Sequence, residues 1–179
     1  MKNMTLTNIA KVCEGRLVYP SEESRKETCS REAAGVVIDS RKAAADFIFV
    51  ATKGERVDGH RFIPDVFAGG ALGAVCEKEP EDIPGPCIVV KDSFEALKRI
   101  AEFYRRQLPV KVVGITGSVG KTSTKEFVAA VLAQKYKVHK TQGNYNNEIG
   151  VPLTVLSMPG DTEVAVLEMG VNHFGEMHN

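Results

Sequence analysis

The chain has 179 residues, 23 Lys and Arg against 23 Asp and Glu, and 43% apolar residues, with a mean hydropathy of -0.13. That balance belongs to a soluble globular protein and excludes a disordered chain, a collagen-like repeat and a disulfide-dependent miniprotein. Splitting the sequence at Val110 leaves 17 basic and 17 acidic residues before it and 6 of each after it. Neither part is a polycation, so no nucleic-acid partner is expected. The start, MKNMTLTNIAKVCEG, holds no apolar run long enough for a signal peptide or a membrane span, which predicts a cytoplasmic protein without membrane association. Cys13, Cys29, Cys76 and Cys87 form no C-x-x-C pair and have no histidine at zinc-ligand spacing, so unpaired, buried thiols are expected.

In chain order, Thr7 is positioned to cap a helix over 8–13 that Gly15 would stop, and Arg16 to Tyr19 follows as a strand. Ser21 to Arg31 is charged and reads as a loop. Gly35 to Ile38 and Phe47 to Ala51 are short apolar strands, left by Asp39-Ser40-Arg41 and by Lys53-Gly54-Glu55. Polar residues at strand exits are where sites are commonly built. Arg61 to Phe67 predicts a helix closed by Gly69-Gly70, and Ala74–Cys76 and Ile88–Val90 are buried-type strands around a proline-rich turn. From Asp92 and Ser93 a longer helix carries Phe94, Leu97, Ile100, Ala101, Tyr104 and Leu108 on one apolar face. Pro109 ends it and marks the expected boundary between a small mixed α/β domain, 1–108, and a second domain, 109–179. In the second, Lys111 to Thr116 reads as a buried strand, Lys121 to Gln134 as a helix and Val164 to Met169 as another buried strand. This is the opening of a parallel α/β sheet.

The strongest signal is the run from Val112 to Ser123, in which a strand passes through Gly117-Ser118-Val119-Gly120 into a helix beginning Lys121-Thr122-Ser123. Glycines let successive backbone N–H groups face one anion, and the helix start adds partial positive charge. Lys121 reaches the β and γ phosphates of a nucleotide, and the Thr122 hydroxyl is a ligand for Mg²⁺. The usual spacing is not met, because Ile115 stands where the first glycine is expected and Gly114 lies one residue early. Glu168 ends the Val164–Leu167 strand, as an acidic Mg²⁺ partner would if that strand lay beside the loop.

Thr116-Gly117-Ser118-Val119-Gly120-Lys121-Thr122 resembles the ATP loop of the Mur ligases, the enzymes that build the peptide of cell-wall precursors. Lys140 to Thr154, with its Asn144-Tyr145-Asn146-Asn147 core, and Glu168 to Glu176, with Asn172-His173, are similar to segments of the branch that adds D-alanyl-D-alanine. Asp39-Ser40-Arg41, Lys53-Gly54 and Asp58-Gly59-His60 look like the family's uridine-nucleotide domain. Ala45-Asp46-Phe47 departs from the Pro-Gly-Asp usual there.

The resemblance implies that Gly117 to Ser123 hold the ATP phosphates and that Thr122 and Glu168 hold Mg²⁺. It places Asn144, Asn146 and Asn147 near the metal and the reacting carboxylate, and His173 near the transferred phosphate. Ser40, Arg41, Asp58, Gly59 and His60 would meet a UDP-sugar peptide. The implied partners are UDP-N-acetylmuramoyl-tripeptide and D-alanyl-D-alanine, with no obligate protein partner evident. A carboxylate cannot expel oxide, so the acid would first be phosphorylated by ATP and the amine of the dipeptide would then displace phosphate. The alternatives are the related ligase that adds the third amino acid and a nucleotide-binding module without turnover. The residues after Pro109 carry too few strands for a complete ATP-binding sheet, which predicts a part of such an enzyme, inactive alone. The family's second metal-binding histidine, its carbamylated lysine and its closing domain would then lie after Asn179. Leu167 and its neighbours are expected to expose apolar surface.

Overall fold

The computed structural model describes residues 1–54 and 57–170. They form two compact units that divide between Tyr104 and Arg105.

The first unit is built on a five-stranded sheet in the order β1-β5-β4-β3-β2, formed by β1 (Arg16–Val18), β2 (Gly35–Val37), β3 (Phe47–Val50), β4 (Gly73–Cys76) and β5 (Cys87–Val89). Only β1 runs antiparallel, against β5; the β2, β3, β4 and β5 neighbours are parallel. Parallel strands are covered on both faces, which is why Ile48, Phe49 and Val50 are consecutive and all fully buried. Phe49, Ala51, Ala74, Cys76 and Cys87 pack with Ile63 and Val66 of α3 (Ile63–Ala68). The four cysteines are free thiols, with Cys13, Cys76 and Cys87 buried and Cys29 half-buried. The long amphipathic helix α4 (Ser93–Gln107) buries Ala96, Leu97, Ile100, Ala101 and Tyr104.

Two local differences from the sequence-based expectation have simple causes. The first helix, α1 (Leu6–Val12), starts earlier because Thr5, not Thr7, is the cap, accepting the amide proton of Asn8 at 3.3 Å. Residues expected to form a loop contain a helix, α2 (Glu22–Thr28), capped by Ser21 and carrying Glu22 and Glu23 in its first turn. Those two acids favour the helix start electrostatically, although α2 buries only Thr28. The turn at Ala45-Asp46 forms despite its unusual sequence, with Asp46 itself at φ +64°. Aspartate tolerates that left-handed conformation better than most residues.

The second unit holds a three-stranded parallel sheet in the order β6-β8-β7, made of β6 (Lys111–Ile115), β7 (Val138–Lys140) and β8 (Val164–Glu168). Helix α5 (Lys121–Leu132) follows β6, and α6 (Gly150–Leu156) lies between β7 and β8. Strand β8 is central and buried along its whole length. Leu167 is therefore covered, contrary to expectation. The exposed apolar side chains of this unit include Val112 on β6 and Phe127 and Val131 on α5. Strand β6, expected to be buried, is an edge strand among the described residues and is partly exposed. No helix among the described residues is long and apolar enough to cross a membrane.

Candidate nucleotide and substrate sites

Backbone pairing decides where the acid of β8 meets the phosphate loop. In the β6·β8 ladder Ile115 is opposite Glu168, so the last residue before the loop and the strand-end carboxylate leave the sheet side by side. The loop then turns at Gly117 and Gly120, both at positive φ (+145° and +78°), which a side chain would resist. Gly120 opens α5 with no side-chain cap, and no acidic residue stands in the first turn. The N–H groups there carry the positive end of the helix dipole and no side chain competes for them. Ser118, Val119 and Ser123 are exposed along this turn. The Lys121 ammonium donates to the Gly117 carbonyl at 2.7 Å, folded back across the loop.

Glu168 is the hub of the second unit's site. The Thr122 hydroxyl lies 3.0 and 3.2 Å from its two carboxylate oxygens, and Asn146 Nδ2 donates to Oε1 at 2.9 Å. Its backbone N–H donates to Thr141 Oγ1 at 2.9 Å, fixing the strand end. The residue is 2% exposed. Burial alone would push its carboxyl up; hydrogen bonds from Asn146 and Thr122 and the charge of Lys125 outweigh that and hold it below the ordinary carboxylate range. Lys125, 1% exposed, stands 3.4 Å from Glu168 Oε2.

One hydroxyl and one carboxylate with oxygens 3.0 Å apart are a hard-oxygen donor set. Among the described residues no group of three or more His, Cys, Asp or Glu could hold a metal. The pair suits Mg²⁺, which protein sites commonly hold through one or two such ligands plus phosphate oxygens and water. It does not suit zinc, which takes three or four protein donors.

The three asparagines divide their work. Only Asn146 reaches Glu168, and its backbone carbonyl accepts from Gly170 N at 2.7 Å. Asn147 Oδ1 instead accepts the amide protons of Ile149 and Gly150, 3.3 and 2.7 Å away, and so starts α6. Asn144 is exposed and closes the turn through its carbonyl, 2.8 Å from Asn146 N. Gly150 is packed against this turn so closely that a Cβ would lie 2.5 Å from the Tyr145 backbone. Gly150→Ala is therefore expected to push the turn off α6 and draw Asn146 away from Glu168, at a cost of about 2 kcal/mol. Thermal unfolding reads this directly, and a melting temperature equal to the parent's would count against it. His173 lies outside the described residues.

In the first unit, the two predicted polar clusters leave the C-terminal ends of neighbouring parallel strands, β2 and β3, the usual location of ligand sites in such sheets. Asp39 caps a single 3₁₀ turn, Ser40–Lys42, and receives Arg41 Nε and a terminal guanidinium N–H at 2.9 and 2.8 Å. That hydrogen-bonded guanidinium lowers the Asp39 carboxyl to about 2. Asp58 caps a second 3₁₀ turn, Gly59–Phe62, accepting from His60 N at 3.0 Å and pairing with His60 Nδ1 at 2.6 Å. His60 Nε2 accepts the Glu77 amide proton at 2.9 Å, so the ring's own proton sits on Nδ1. Gly59 fits under Thr52, whose carbonyl would be 2.8 Å from a Cβ.

The residues absent from the sequence-based list are Lys125 and Thr141. A lysine on a helix ordinarily reads as solvated. The available signal is its place one turn after Lys121, on the same side of α5.

A strand, an open glycine loop, an uncapped helix and an acid on the adjacent strand define a phosphate-loop nucleotide-binding unit. Residues 32–117 match the Mur ligase family catalytic domain, and residues 115–179 match the Mur ligase middle domain. The chain belongs to the Mur ligase family. It is 42% identical over 182 residues to the UDP-N-acetylmuramoyl-tripeptide–D-alanyl-D-alanine ligase of Bacillus subtilis, a match covering 99% of this chain and 38% of that enzyme. Among solved structures, MurF from Acinetobacter baumannii superposes with a TM-score of 0.83 at 34% identity, over 96% of this chain and 36% of the other. MurF ligase from Thermotoga maritima, solved in complex with ADP, gives 0.71 at 36% identity over 78% of this chain and 32% of the other. The chain thus spans well under half the length of these relatives.

Proposed function

We propose that this chain supplies the UDP-sugar-peptide part, residues 1–108, and the ATP-phosphate part, residues 109–179, of a cytoplasmic ligase. That enzyme would join D-alanyl-D-alanine to UDP-N-acetylmuramoyl-tripeptide at the expense of ATP. The observation that carries this reading is the register that sets Glu168 against Thr122 at the mouth of the loop. Relatives carrying the D-alanyl-D-alanine ligase name support the choice of substrates.

The chain's own residues have definite tasks in that reaction. The loop N–H groups from Gly117 to Ser123 hold the phosphates, and Lys121 leaves the Gly117 carbonyl for the β and γ oxygens. Thr122 and Glu168 would hold Mg²⁺, which supplies neutralisation of charge building on the transferred phosphoryl group. Asn146 orients the Glu168 carboxylate through Oε1. The terminal carboxylate of the tripeptide attacks the γ-phosphorus in line, breaking its bond to the β–γ bridging oxygen and releasing ADP, to give an acyl phosphate. The neutral amine of the dipeptide then attacks the acyl carbon, expels phosphate and loses one proton to solvent. His173 is the candidate for steadying that phosphate.

The test is phosphate release by a version at the full length of the relatives, given ATP, Mg²⁺, UDP-sugar tripeptide and either D-alanyl-D-alanine or a single amino acid with UDP-sugar dipeptide. Turnover with the first set alone is expected; turnover with the second alone would assign the third-residue ligase. In the same protein, Arg41→Ala should weaken the UDP-sugar peptide at least fivefold while leaving ADP affinity within twofold. Separate titrations measure both, and equal losses would remove the Arg41 assignment.

A further inference from the structure

Among the described residues, two charged groups of the second unit are almost wholly buried, and the proposed reaction gives a task to only one of them, Glu168. Lys125 is that second group. Its ammonium stands 3.4 Å from Glu168 Oε2 and 3.4 Å from Glu126 Oε1. Glu126, whose side chain is 48% exposed, is held on its far side by Lys140 of β7. Charges therefore alternate from the surface inward: Lys140, Glu126, Lys125, Glu168.

The two equal separations matter. A tight charge-assisted bond between ammonium and carboxylate is shorter, about 2.7–2.9 Å. Lys125 is shared between two carboxylates and committed to neither, so a small side-chain movement transfers it from one to the other. Glu168, at 2% exposure, needs a counter-charge whenever no metal is present, because an uncompensated buried carboxylate is strongly disfavoured. An ammonium and a divalent cation on the same carboxylate repel one another, so entry of the metal favours the lysine's shift onto Glu126.

The geometry points to Lys125 as the built-in counter-ion of Glu168, exchanged for the divalent cation by shifting onto Glu126, so that Lys125 and Glu126 together set the affinity of the nucleotide site for its metal. This rests on the reading of Thr122 and Glu168 as the metal pair. Lys125 is a positioning residue here; it acts through Glu168. The two neighbours of the metal pair then have opposite effects. Neutralising Lys125 removes a repulsive charge and strengthens metal binding. Neutralising Glu126 leaves the lysine to Glu168 alone and weakens metal binding. A merely structural ion pair would lower stability in both variants without moving metal affinity in opposite directions.

The experiment titrates Mn²⁺, as a paramagnetic stand-in for Mg²⁺, into the full-length protein saturated with ADP, with bound metal read by electron paramagnetic resonance. Turnover is not involved. Lys125→Met is expected to lower the half-saturating Mn²⁺ concentration at least fivefold, Glu126→Gln to raise it at least threefold, and Lys125→Arg to stay within twofold of the parent. Because Glu126 lies at the surface, its variant carries the test even if Lys125→Met does not fold. An unchanged or lowered half-saturation in Glu126→Gln, or an unchanged or raised one in Lys125→Met, overturns the inference. Glu168→Gln separates the two levels: weakened Mn²⁺ binding there keeps the metal pair whatever Lys125 does, and unchanged binding removes the metal pair itself.

Discussion

Lys121→Ala should abolish ATP-dependent ligation in a full-length version, with turnover reduced at least a hundredfold. The ammonium lies on the Gly117 carbonyl at 2.7 Å, so it is held at the loop mouth and needs only to exchange one oxygen partner for another when phosphates enter. The loop N–H groups remain in the variant and keep some phosphate affinity. The lost contact is the one that strengthens as charge moves onto the β and γ oxygens, and an electrostatic contact of that kind is worth about 3 kcal/mol or more. The loss should therefore fall mainly on turnover and less on ADP affinity. Steady-state phosphate release and ADP calorimetry separate the two, and turnover within tenfold of the parent would sink the role given to Lys121.

Glu168→Ala should destabilise the second unit by about 3 kcal/mol, because it removes the one buried carboxylate beside the buried Lys125 together with a shared hydrogen-bond acceptor. Lys125 would keep only the half-exposed Glu126, while Thr122 and Asn146 would lose their shared acceptor. Denaturant unfolding measures the change, and a loss below about 0.5 kcal/mol would show that the carboxylate contributes nothing to the fold. The parent has a matching acid response. The Glu168 carboxyl titrates lower in the folded protein than its ordinary value of 4.5, so its contribution is present above 4.5 and is lost as pH falls through the depressed folded value. His139 acts higher on the scale: burial lowers it below 6.5, partly opposed by its bond to the Thr154 carbonyl at 3.0 Å. Its contribution declines as pH falls below 6.5.

The phosphate loop was legible in the sequence because its chemistry is local: strand, glycine turn and helix follow one another within a dozen residues. Glu168 was legible by type and by its place at the end of an apolar run, although its register against Ile115 is a fact of sheet pairing that no short window contains. Strand β7 is only Val138-His139-Lys140, half-buried throughout, and gives no alternation to detect. Helix α6 hides behind Pro152, which is tolerated because it falls in the first turn, where no helical hydrogen bond is lost. Helix α2 was unreadable by periodicity since it has no apolar face. Lys125 escaped for the opposite reason: its burial depends on two acids, one adjacent in sequence and one on a distant strand.

Strand β8 sits between β6 and β7, which do not pair with each other. Its sequence lies after both. During synthesis the glycine loop therefore emerges long before the strand that organises it, and the two earlier strands have no common partner until residues 164–168 have left the ribosome. Until then Thr122 and Lys125 have no Glu168 to meet. Among the described strands the last in sequence is inserted into the middle, a contact pattern dominated by distant pairs and hence slow to form. The contacts of Glu168 with Thr122, Lys125 and Asn146 are thus acquired together, in the step that seats β8.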